Sequence, residues 1–100
     1  VFVTAAGLKR PLKHHVHHSP DGFECGYGGS GPADLALALA ADAIGAERER
    51  VRIFQGEVGR RAWDAHMRVK AELVTTLPRD GDWTIFESEV LASIARVEQK

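Results

Sequence analysis

The stretch from Ser30 to Gly45 constrains the fold more than any other part of the chain. It reads Ser-Gly-Pro-Ala-Asp-Leu-Ala-Leu-Ala-Leu-Ala-Ala-Asp-Ala-Ile-Gly, a run of strong helix formers between two helix-end signals. Ser30 offers an N-cap hydroxyl. Pro32 fits the first turn, where a missing N–H costs nothing. Gly45 suits the left-handed position after the last turn. Leu35, Leu39 and Asp42 share one side, Leu37 and Ile44 widen the apolar area, and alanine fills most of the rest. A helix this small and apolar around its circumference is expected at the centre of the fold, closely packed on several sides.

Other elements are expected around it. Residues 1–4 are β-prone, Ala5-Ala6-Gly7 can turn, and residues 8–16 can return as a second strand. Pro11 marks that strand as an edge or a bulge. Ser19-Pro20-Asp21-Gly22 is a turn, and Phe23, Glu24 and Cys25 add extended residues before a glycine-rich loop. Residues 47–59 are open between strand and helix: Val51, Ile53 and Phe54 suit either, and Gly56 and Gly59 weaken both. A helical pattern runs from Arg60 to Leu77, with Trp63, Met67, Lys70 and Val74 on one stripe and His66, Leu73 and Leu77 beside it. Pro78 ends it, and Arg79-Asp80-Gly81-Asp82 turns the chain. Trp83-Thr84-Ile85 is short and extended. Residues 87–97 make a last amphipathic helix, with Val90, Leu91, Ile94 and Val97 inward and Glu87, Glu89 and Arg96 outward. The expected fold class is α+β: a small antiparallel sheet packed by about three helices, in a single domain over residues 1–100. Leu35, Leu39, Trp63, Val74, Ile85 and Leu91 are expected in one core.

A content of 44% hydrophobic and 27% charged residues is that of a globular chain with a modest core. No apolar run is long enough to cross a membrane. Residues 1–6 are apolar but too short for a signal peptide. Cys25 is the single cysteine, so no internal disulfide can form, and a reducing cytoplasm is expected. The net charge of −1 argues against a strongly basic nucleic-acid binder, yet the charge is unevenly spread. Residues 1–20 carry +3, 21–47 carry −5, 48–70 carry +4 and 71–100 carry −3. Such alternation can make local patches. With no groove-reading motif, a mixed solvated surface and a protein partner are favoured over nucleic acid.

Gly26, Gly28 and Gly31 spell G-x-G-x-x-G, and with Tyr27, Gly29 and Ser30 they form a candidate ligand-binding loop. The context argues against a dinucleotide site, because the preceding strand is short and no second parallel strand ends in an acid at the required distance. No Gly-Lys-Ser/Thr follows. The structural reading is a tight entry into a closely packed helix, with positive φ at Gly28 and Gly29. His14, His15, His17 and His18 cluster, and on an extended strand His15 and His17 share a face. A zinc site would need more ligands; Glu24, Cys25 and His66 are conceivable, but nothing in the sequence places them nearby. No metal, cofactor or catalytic residue is therefore expected. Cys25 reads as a partly buried thiol, Asp34 as a complement to the helix dipole, and His66 with Lys70 as the polar edge of a helix stripe.

The segment Ser19-Pro20-Asp21-Gly22-Phe23-Glu24-Cys25-Gly26-Tyr27-Gly28-Gly29-Ser30-Gly31-Pro32-Ala33-Asp34-Leu35-Ala36-Leu37-Ala38 resembles a family of small uncharacterised proteins encoded by bacteria, archaea and phages. Their shared segment reads roughly S-P-T-G-F-E-W-G-Y-G-G-S-G-P-A-D-L-A-L-A. Weaker similarity continues through His66, Lys70, Glu72, Val74, Leu77 and Pro78, and resumes at Trp83, Ile85, Glu89 and Val90. Residues 46–62 look like an insertion relative to that pattern. Cys25 stands where the family usually has tryptophan, so a catalytic cysteine is not a family property. Phe86 stands where Thr or Ser would cap the last helix and pair with Glu89. The resemblance implies a shared fold and a setting in mobile elements, and no reaction. The expected function is a non-enzymatic protein-binding module of phage or mobile-element type. It would modulate a host or partner protein, for example by inhibiting a bacterial defence complex such as CRISPR. The alternative is a phosphate or nucleotide binder using the glycine-rich loop.

Overall fold

A computed structural model describes residues 2–5, 8–13, 15, 30–78 and 83–98. Helix α1 (Ser30–Ile44) is the centre of the molecule. Gly31 to Ala38 and Ala40 are all buried, so α1 is enclosed on nearly every side as its composition requires. Ser30 is itself the first helical residue, one position inside the expected cap, and Pro32 stays in the first turn. At the other end Gly45 adopts φ 82°, and its N–H donates to the Ala41 carbonyl at 3.0 Å, closing the helix through the left-handed residue.

The α+β class holds, with the described strands divided between two antiparallel hairpins. In the first, β1 (Phe2–Ala5) pairs with β2 (Leu8–Pro11) from Phe2↔Pro11 to Ala5↔Leu8. Pro11 ends a strand that pairs, among the described residues, with β1 alone, an end position at which its missing N–H is tolerated. The chain leaves β2 as strand at Pro11, earlier than the expected Val16, and Leu12 turns into the core. The second hairpin resolves the open segment: β3 (Arg50–Ile53) pairs with β4 (Gly56–Gly59), from Arg50↔Gly59 to Ile53↔Gly56. Gly56 has φ 97°, a conformation that a β-carbon disfavours, so this glycine permits the turn instead of weakening a strand. Ile53 and Val58 face the core while Arg50, Arg52 and Glu57 face outward, the two-residue alternation of a half-buried hairpin.

Helix α2 (Arg60–Val69) follows β4 directly. Its cap residue, Gly59, contributes no side chain. Glu47 takes that role from a distance: its carboxylate accepts the N–H of Arg61 at 2.9 Å and of Ala62 at 3.3 Å. A β-carbon on Gly59 would overlap the Glu47 carboxylate, so the glycine makes the space this cap needs.

The expected single helix over residues 60–77 instead changes winding at Val69. Residues Lys70–Val74 form a π turn, closed by the Thr75 N–H on the Lys70 carbonyl at 3.0 Å. The buried face of α2 is Ala62, Ala65, His66 and Val69. Continued α winding would bring Leu73 beneath Val69; the extra residue in the π turn brings Val74 there, fully buried, and leaves Leu73 half-buried. The predicted stripe is therefore corrected: Met67 is 51% exposed, and Trp63 packs on the core from a half-buried position. Thr75 and Thr76 hydroxyls donate to the Ala71 and Leu73 carbonyls, satisfying acceptors at the end of the turn.

Helix α3 (Glu87–Glu98) packs on α1 and α2 through Val90, Ser93 and Ile94, with Val97 half-buried. Leu91 is a second correction: it lies about 100° around the helix from Val90 and is 40% exposed. Phe86 caps α3 through its backbone alone, its carbonyl accepting the Glu89 and Val90 N–H groups. Of the expected core, Leu35 and Val74 are fully buried, while Leu39, Trp63 and Ile85 pack against the core from its margin. Among the described residues, no helix is long and apolar enough to cross a membrane.

Candidate functional site

Three distant parts of the chain meet around an open cleft of about 330 Å³. β2 and its continuation supply Arg10, Lys13 and His15; the end of α1 supplies Asp42 and Gly45; the second hairpin supplies Arg50 and Gly59. Leu12, Ala38, Ala41 and Val58 give the cleft an apolar floor. The small side chains of α1 leave this hollow, because alanine at positions 38 and 41 keeps the helix surface low beneath the neighbouring strands.

The cations here have unequal surroundings. Arg10 Nη2 donates to Asp42 Oδ1 at 2.6 Å. Helix α1 has no basic residue in its own last turn, so Arg10 brings positive charge from β2 to the negative end of the helix dipole. Arg50 Nη2 donates to the Glu57 backbone carbonyl at 3.1 Å, and its Nε lies 3.5 Å from the Glu57 carboxylate. Lys13 makes no ion pair with any described residue. Among the described lining residues, Arg10, Lys13 and Arg50 thus stand against one carboxylate, Asp42, an excess of positive charge. Among the described lining residues there is no Ser, Thr or Cys, and the basic side chains give the cleft the means to hold an acidic group.

Of the candidate loop, Gly26, Tyr27, Gly28 and Gly29 lie outside the described residues; Ser30 opens α1 and Gly31 is buried in its first turn. His14, His17, His18 and Cys25 also lie outside them. His15, the described member of the histidine cluster, lines the cleft. Among the described residues, no three His, Cys, Asp or Glu side chains converge as a metal-ligand set. Asp34 is fully buried and sits beyond the first turn, deeper than a residue that merely complements the dipole. His66 is likewise buried, not at a polar edge; its Nδ1 lies 2.6 Å from the Trp63 carbonyl, which can only accept, so Nδ1 carries a proton. Every buried side-chain nitrogen and oxygen among the described residues has a partner.

A second polar cluster lies where the π turn meets α3. The buried Ser93 hydroxyl donates to Glu72 Oε1 at 2.6 Å, and Arg96 Nη2 reaches the same oxygen at 2.9 Å. Arg68 approaches the other carboxylate oxygen at 3.8 Å. The Arg96 bonds first, then the Ser93 bond, hold the Glu72 carboxyl below the ordinary glutamate range. Nearby, Arg61 forks onto both Glu98 oxygens at 2.7 and 2.9 Å, which lowers the Glu98 carboxyl and raises the Arg61 guanidinium. These bonds tie α2 and the π turn to α3.

Sequence reasoning did not single out Arg10, Lys13 or Arg50. Its only signal for them was the +3 of residues 1–20 and the +4 of residues 48–70, two basic segments that the fold brings to one place.

Comparison with curated proteins and with solved structures finds no match. A family model covers residues 1–96, essentially the whole of the architecture just described. On that match the chain belongs to DUF6166, a family of unknown function.

Proposed function

We propose that the chain is a binding module that takes an acidic segment of a partner protein into the cleft between β2, the end of α1 and the second hairpin. The observation that carries this reading is the convergence of two basic segments, far apart in sequence, around an apolar floor. The volume, about 330 Å³, is at the small end of ligand pockets and suits one or a few side chains of a docked segment better than a whole nucleotide. An apolar side chain would rest on Ala41, above the buried Leu12 and Val58, and flanking carboxylates would meet Lys13 and Arg50 at the rim. A modulator carried by a mobile element, acting on an acidic surface of a host complex, is the setting that fits this reading.

Amide NMR shifts tested against a peptide of alternating Glu and Leu would check it. The expected perturbations cluster at Leu12, Ala41, Gly45 and Val58, and Lys13→Glu weakens binding and flattens its salt dependence. Perturbations confined to Ser30 and Gly31, and produced by nucleotide or inorganic phosphate instead of peptide, would overturn this reading in favour of a phosphate binder at the glycine-rich loop.

A further inference from the structure

The outer face of the second hairpin extends the basic rim of the cleft beyond Arg50. Arg50 and Arg52 share that face of β3, opposite the half-buried Val51 and the buried Ile53. Arg48 lies two residues before β3 and is exposed as well. Neither Arg48 nor Arg52 makes an ion pair with a described residue. At the tip, directly after β3, Phe54 is 68% exposed, an aromatic ring of a size normally drawn into a core. Glu57, opposite Arg52 in the register, neutralises part of the face through Arg50.

We propose that this face binds a single-stranded nucleic acid, with Arg48, Arg50 and Arg52 on the phosphates and Phe54 stacking on a base. Same-face residues of a strand lie about 6.6–6.8 Å apart, comparable with neighbouring phosphates along one nucleic-acid strand. Each guanidinium presents a planar donor fork that matches a phosphate. An unpaired base covers the exposed ring while the phosphates meet the arginines, whereas a purely acidic segment such as polyglutamate would leave the ring bare. A base must be unstacked to reach Phe54, which selects single strands over duplex. The inference goes beyond the cleft: it shares Arg50 with the cleft rim but is tested on Arg48, Arg52 and Phe54, which do not line the cleft, so the two can fail separately.

The test is fluorescence anisotropy of a labelled oligothymidine of about twelve nucleotides, titrated with the full chain. Binding is expected to weaken between about 50 and 200 mM salt. Combined Arg48→Ala and Arg52→Ala changes should lower the log–log salt slope by about 1.4, roughly 0.7 for each phosphate no longer neutralised. Phe54→Ala should weaken binding about tenfold with the slope unchanged. Glu57→Gln should tighten it, and Lys13→Ala should leave it within about twofold. Thermal melts of each variant should match the parent, since all these side chains are exposed. The inference is overturned by any of four results. These are no binding at the lowest salt, equal binding of polyglutamate, tighter binding of a duplex with Phe54→Ala neutral, or a weakening in Lys13→Ala as large as in the arginine variants.

Discussion

The helical side and the hairpin side of this molecule handle charge in opposite ways. Where α2 and the π turn meet α3, cations are matched to carboxylates: Arg61 grips Glu98, and Arg96 and Arg68 converge on Glu72. Around the cleft and the second hairpin, Arg10 has Asp42 and Arg50 has Glu57, but Lys13, Arg48 and Arg52 have no carboxylate among the described residues. The near-zero net charge conceals this division. Ion pairs on one side join elements that already share a core, whereas unmatched cations on the other side keep their attraction for an external anion.

The sharpest form of the contrast is the packing beneath it. Leu35 and Leu37 of α1 are fully buried, so truncating either to alanine should cost about 2–5 kcal/mol. Leu91, on the margin of α3, should cost about 1 kcal/mol or less, and Leu39, half-buried, should fall between. Urea melts of the four variants would rank them. A Leu91→Ala destabilisation equal to that of Leu37→Ala would mean that α3 turns a different face to the core.

The next effect lies at the seam between the two sides. Gly59→Ala puts a methyl where the Glu47 carboxylate sits and should expel it from the Arg61 and Ala62 N–H groups. Removing such a cap costs about 1–2 kcal/mol. A double-mutant cycle with Glu47→Ala makes this specific: once the carboxylate is gone, the added methyl should cost far less. Additive effects would show that Gly59 is needed for its backbone and not for the space it leaves.

How much of this was legible in the sequence depends on how local each signal was. Helix α1 was readable because Pro32, the alanine–leucine run and Gly45 all act within a few residues. The second hairpin was not, since Val51, Ile53 and Phe54 suit strand or helix until Gly56 is seen at positive φ. The face of α2 was misread because a 3.6-residue period was carried through the π turn, which inserts a residue between Val69 and Val74. Leu91 was misread because an apolar residue beside an apolar stripe looks like part of it. The cleft was beyond local reasoning: Arg10, Asp42 and Arg50 become neighbours only when β2 and the hairpin pack around α1. Likewise, no spacing rule pairs Glu47 with the start of α2, fourteen residues from Arg61.

The smallest expected effect tests the matched side by pH. Glu72 is lowered by its bonds to Arg96 and Ser93, and Glu98 by its bond to Arg61. A carboxyl lowered in the folded state contributes stability that is fully present above its unfolded pKa and is lost as pH falls through the folded one. Both groups lie near the surface, where water and salt screen their pairs, so the contribution is modest. Glu72→Gln combined with Glu98→Gln should therefore be less stable than the parent at neutral pH. That gap should close on acidification, beginning in the ordinary glutamate range and finishing below it. Raising the salt concentration should also narrow it at neutral pH. Urea midpoints across that acid range would measure the gap. A constant gap would assign the destabilisation to side-chain packing. The helical side would then be held by its core alone, and its matched charges would matter no more to stability than the unmatched ones on the hairpin.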